Sequence, residues 1–110
     1  MLQTFKVGDI LTSSGGYECT HVTFFKVIGV TDSYVHLRVL EDKTVEYIPF
    51  PGTLGSGKVI PADTFNGDKV IRRKIKHTDS YEPYVEVSKT SYQLAFIWDG
   101  TPQQFDFRNA

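Results

Sequence analysis

Five consecutive residues, Tyr17-Glu18-Cys19-Thr20-His21, gather groups that can do chemistry. Tyr17 offers a flat face for stacking. Glu18 and Thr20 offer hydrogen-bond groups, and His21 can exchange a proton near neutral pH. The segment lies between the turn signal Ser13-Ser14-Gly15-Gly16 and an apolar run, where loops often carry function. The same residue types also serve structure: Tyr17 can cover one end of a core while Glu18 and Thr20 bind loop amides.

A second cluster is the basic run Arg72-Arg73-Lys74-Ile75-Lys76-His77. On a strand, Arg72, Lys74 and Lys76 share one face, spaced at about 6.6 Å, a repeat that could track phosphates. Tyr81, Tyr84 and Tyr92 would add stacking surfaces if they share that face. The plainer role is a solvated strand face, charged to resist edge-to-edge pairing. The third feature is Trp98-Asp99-Gly100-Thr101-Pro102. Asp-Gly forms a turn and Pro fixes the next bend. Trp98 is either a core lid whose indole N–H finds a carbonyl, or an exposed anchor for a protein partner.

Catalytic and metal motifs are weak. Cys19 and His21, with distant His36 and His77, lack the paired spacing of structural zinc. Gly52-Thr-Leu-Gly-Ser-Gly-Lys58 only superficially suggests a phosphate loop, because Val59-Ile60-Pro61 cannot open the required helix. Side chains two apart on an extended chain lie about 6.6 Å apart, too far for a Cys19–His21 nucleophile pair. No cofactor is expected. A small hydrolase or nuclease using Glu18, His21 and Asp99 remains a distinct alternative.

The elements that must position these residues read as strands. His21–Val30 and Tyr34–Leu40 form the strongest hairpin, with Val35, Leu37 and Val39 opposing Tyr34, His36 and Arg38. Lys6–Leu11 reads as a first strand, Glu41-Asp-Lys43 as a turn and Thr44–Ile48 as a short strand. Residues 51–58, rich in Gly and Ser, read as a flexible loop, and Pro61–Phe65 as one helical turn. Val70–Ile75 and Tyr84–Ser88 alternate again. Tyr92–Trp98 fits a strand by its period of two, although Ser91 could cap a short helix there. Residues 103–110 form a polar, edge-like tail. The expectation is one all-β domain over residues 1–110, a small barrel or sandwich with short helical turns at most. The Val7-Gly8-Asp9-Ile10 strand before a long hairpin suggests an SH3-like barrel, an analogy that carries no function.

Composition agrees with this. The chain has 110 residues, 40% hydrophobic and 23% charged, enough for one modest core. Eight Phe and six Tyr favour strands. A net charge of -1 gives no global pull toward a polyanion, so such a site must come from local clustering. One cysteine cannot form an internal disulfide, no secretory leader opens the chain, and no apolar run approaches about 20 residues. A cytoplasmic protein without membrane attachment is expected. An exposed strand edge would allow a homodimer.

Three stretches in order, Lys6-Val-Gly-Asp-Ile-Leu through Gly16-Tyr17-Glu18-Cys-Thr20 to Val27, then Arg72-Arg73-Lys74-Ile-Lys76, then Val87-Ser through Trp98-Asp99-Gly100-Thr-Pro102, resemble a group of small uncharacterised proteins encoded by bacteriophages and mobile elements. The resemblance implies a phage or mobile-element setting and assigns no reaction. Together these readings predict a non-enzymatic binding module that engages a host or phage macromolecule. Nucleic-acid binding through the basic strand 69–76 with tyrosines is the alternative. The residues expected to carry binding are Tyr17, Glu18, Thr20, His21, Arg72, Lys74, Lys76, Tyr92 and Trp98.

Overall fold

The computed structural model describes residues 5–15, 21–49, 51, 55–76, 83–88 and 93–106. They form eight strands: β1 (Ile10–Gly15), β2 (His21–Val30), β3 (Tyr34–Ile48), β4 (Ser56–Phe65), β5 (Ile71–Lys74), β6 (Val85–Ser88), β7 (Gln93–Ile97) and β8 (Gln103–Asp106). All pairings are antiparallel, in the order β6-β7-β1-β2-β3-β4-β8, with β5 also on β3. The all-β single sheet agrees with the reading from composition and periodicity. No helix among the described residues is long and apolar enough to cross a membrane.

The predicted hairpin is present. Thr31–Ser33 closes it, with the Tyr34 N–H donating to Thr31 Oγ1 at 3.1 Å and the Thr31 N–H to the Tyr34 carbonyl at 2.8 Å. β3 then runs on for 15 residues. At about 3.3 Å per residue it spans about 50 Å, close to the longest dimension of the molecule, 48 Å.

The two halves of β3 serve different structures. Its first half pairs with β2 and β5, and the sheet curls so that β5 and β6 meet at one bridge, Lys76 to Tyr84. Among the described residues one bridge rather than a continuous ladder joins them, so the described sheet is barrel-like without full closure. Inside lie Phe5, Leu11, Phe25, Val27, Val35, Leu37, Ile75, Val85 and Ala95. The second half of β3 pairs with β4, which carries β8. This arm covers the outer face of β1 and β2, enclosing a second core of Phe24, Leu40, Val59 and Phe105. Adjacent residues of a strand point to opposite faces, so Phe24 and Phe25 serve separate cores.

Four local readings are corrected. The Lys6–Asp9 segment is a turn with Gly8 at φ +98°, and β1 instead includes Ser13, Ser14 and Gly15. Glu41-Asp-Lys43 is strand, because β4 supplies its partners and bulges at Leu40/Asp42 and Thr44/Glu46 absorb the irregularity. Residues 56–58 begin β4 rather than extending a loop. Pro61–Phe65 continues β4 instead of forming a helical turn. Pro61 is tolerated there because β8 pairs only as far as Val59, so its missing N–H breaks no ladder on that side. The edge-like reading of the polar tail agrees with the structure, where residues 103–106 form the edge strand β8.

β4 and β5 lie in line along the same edge of β3, separated by an excursion at Asn66–Val70. Gly67, at φ +83°, shapes it, and Arg38 holds it by donating from Nη2 to the Gly67 carbonyl at 2.7 Å. Gly57 shows how closely the arm packs: a methyl there would overlap the Glu46 carbonyl oxygen and reach 2.9 Å from Phe105. Gly57→Ala is therefore expected to cost about 3 kcal/mol, and Gly67→Ala about 1 kcal/mol from its backbone conformation alone. Urea unfolding of the two variants checks this; equal losses would show that the arm yields at Gly57.

Candidate functional site

The predicted basic strand sits on an exterior face built by three strands. On β3, Tyr34, His36 and Arg38 point outward while Val35 and Leu37 are fully buried. Register places Lys74 beside Tyr34 and Arg72 beside His36 on β5, and Lys26 beside Arg38 on β2. The Arg72 guanidinium lies 4.0 Å from the centre of the Tyr34 ring, a cation–π contact that holds it across the face. Arg38 turns away from its like-charged neighbour Lys26. It stacks 3.8 Å over Phe65 and reaches Asp68 at 3.6 Å. No described carboxylate pairs with Lys26, Arg72 or Lys74.

Lys76 is placed differently from its predicted companions. Its Nζ donates to Glu86 Oε1 at 2.7 Å, beside the bridge that draws β5 toward β6. The Glu86 hydrogen bond, opposed by desolvation, holds the ammonium above its ordinary value. Lys76 is committed to closing the curl, so its charge is compensated.

Trp98 borders a different feature, a groove of about 490 Å³ between the outer face of β1 and β7 and the turn leading to β8. The lid role predicted for it is present: Nε1 donates to the Thr101 carbonyl at 2.6 Å, and the indole packs edge-to-face on Phe24 at 6.0 Å. Gly100, at φ +87°, makes the tight bend. Asp99 Oδ1 accepts from the Thr101 hydroxyl at 2.6 Å and its N–H at 2.9 Å, while Gln103 Nε2 donates to the Thr101 carbonyl at 2.9 Å. The hydroxyl, then the amide, hold the Asp99 carboxyl below its ordinary value. Phe96 packs against Tyr84 with ring centres 5.6 Å apart. Thr12 Oγ1 is buried in the groove wall without a hydrogen-bond partner.

His21 is exposed at the start of β2 and lines a separate cleft of about 270 Å³ with Asp42 and Thr44. It does not share a concavity with Trp98 or Asp99. Tyr17, Glu18, Thr20 and Tyr92 lie outside the described residues. Among the described residues no three His, Cys, Asp or Glu side chains gather to hold a metal. Sequence reasoning missed Lys26, Gln93, Phe96 and Gln103. Lys26 joins the basic face, and the other three line the groove, through pairing between distant strands; no local motif marks them.

The Asp99 turn yields a titration test. A carboxyl with a lowered folded value contributes stability above its unfolded value, near 3.8, and that contribution is lost as pH falls through the folded value. Thr101→Val removes the hydroxyl donor and should move the Asp99 midpoint up toward the ordinary value, followed by carbon NMR of its carboxyl. An unchanged midpoint would show that the amide alone holds the charge.

The geometry stands without precedent to lean on: the chain matches no family model, no curated protein and no solved structure.

Proposed function

We propose that this protein is a non-enzymatic binding module that engages the phosphate backbone of a nucleic acid through the outer face of β2, β3 and β5. The observation that carries the reading is the pairing register, which sets Lys26, Arg72 and Lys74 on one face with no described carboxylate on any of them. His36 and the Tyr34 ring lie among them. Charge separation along the molecule supports it further. On the β3–β4 arm exposed Glu41, Asp42, Glu46 and Asp63 outnumber Lys43 and Lys58, so a net charge of -1 coexists with a locally basic barrel face. A local field of this kind steers a polyanion toward one end. The phage or mobile-element setting implied by the motif resemblance fits a small module acting on host or phage nucleic acid.

Lys74→Glu should weaken binding of a labelled oligonucleotide about tenfold near 50 mM salt and reduce the slope of log K against log salt by about 1. Lys76→Met, removing a cation already held by Glu86, should change binding by less than about twofold. Fluorescence anisotropy across a salt series measures both. No binding at low salt, or equal losses in the two variants, would overturn the assignment to this face.

A further inference from the structure

We infer that the groove beside Trp98 is a second binding site, for a neutral polyhydroxylated ligand such as an oligosaccharide. It lies on β1, β7 and the β7–β8 turn, and none of Lys26, Arg72 and Lys74 is among its lining residues.

The chemistry of the lining carries the assignment. Phe96 and Trp98 supply ring surface, Phe96 being 36% exposed. Around them stand Ser14, Gln93, Asp99 and Gln103. The Gln93 amide presents two hydrogen-bonding atoms at fixed separation, which matches neighbouring hydroxyls on a sugar ring, and the atoms that the Thr101 turn leaves over, Asp99 Oδ2 and Gln103 Oε1, add acceptors. The rings suit its C–H face. A mostly apolar pocket with a few polar groups would suit a drug-like ligand, whereas this lining is mixed and its concavity shallow. Among the described residues no Lys or Arg lines the groove, and Asp99 brings a negative charge, which favours a neutral ligand over an anion. A simple ammonium ligand would use that carboxylate and the rings but leave both amides and the Ser14 hydroxyl without a role.

The groove is also largely preformed. Asp99, Gln103 and the Trp98 indole N–H are all tied to Thr101, so three lining groups keep their positions before any ligand arrives. Gln93 lies against Gly15, whose missing side chain leaves room for it: a methyl there would sit 3.3 Å from Gln93 Cγ and Nε2. No described hydrogen bond occupies the Gln93 amide, which is therefore available to a ligand.

Trp98 is the sole tryptophan, so its emission reports on the groove directly. The full chain is titrated with cellohexaose, maltohexaose and chitohexaose, with choline as the cationic control. At least one oligosaccharide should shift the emission saturably below about 10 mM. Gln93→Ala should weaken that binding about tenfold while leaving the unliganded emission and the melting temperature unchanged. Ser14→Tyr, on the exposed rim, should block it and serves if Gln93→Ala does not fold. Oligonucleotide binding should survive in both, which separates this site from the basic face. Saturation by choline alone, no saturable shift with any of the three sugars, or wild-type sugar binding in the folded variants would overturn the inference.

Discussion

Phe24 and Phe25 are neighbours in sequence, and both are buried. On a strand this demands an apolar cover on each face, and a single curled sheet closed around one interior would supply only one. The rest of the architecture follows from that demand. The inner cover is the curl itself, β5-β3-β2-β1-β7-β6, around Phe25, Val27 and Leu37. The outer cover is the arm, which brings Val59 and Phe105 over Phe24 and Leu40. β3 has to be long because it belongs to both. It leaves the curl near Leu40 and becomes the spine of the arm without a break in the chain.

The same arrangement sorts the surface. With the arm lying over β1 and β2, the exterior of the curl that stays uncovered is the β2–β3–β5 side and the β1–β7 side. The first carries cations that no described carboxylate pairs, and the second carries aromatic rings amid amides and a carboxylate. These are two different chemical environments on one small molecule. The turn that borders the second of them is organised by Thr101, which serves the indole, the carboxylate and an amide at once. Asp99 is therefore occupied in shaping a turn, and it stands apart from the cleft that holds His21. His21 and Asp99, two of the three residues named for the hydrolase or nuclease alternative, thus lie in separate hollows, and Glu18 is outside the described residues.

Strong local periodicity was enough to read much of the sheet. The alternation of Val35 and Leu37 with Tyr34 and His36 identified the hairpin and its buried face. The period of two in Leu94, Phe96 and Trp98 favoured a strand over the helix that Ser91 could have capped, and β7 is a strand. The failures share a cause. Glu41-Asp-Lys43 and Pro61–Phe65 are polar or Pro-containing, and they look like turns when taken alone. Their strand form comes from pairing with each other's strand, about twenty residues away. Lys76 looked like a third member of a phosphate-binding row because its parity is right. Its true partner, Glu86, is set by the closure of the curl, which no local pattern encodes. For Trp98 the sequence leaves a lid with a bonded N–H and an exposed anchor side by side, and the groove beside it draws on β1, β7 and β8 together and emerges only from tertiary pairing.

The Asn66–Val70 excursion, held by Arg38, lies between two ladders that β3 shares along one edge. Its length enters neither register. Residues can be gained or lost there without sliding β4 against the arm or β5 against the curl, provided Arg38 still finds a carbonyl to grip. The fold thus contains a point of slack where the two halves can diverge independently over evolution. The reach and surface of the arm can change in one lineage while the basic face of the curl stays in place.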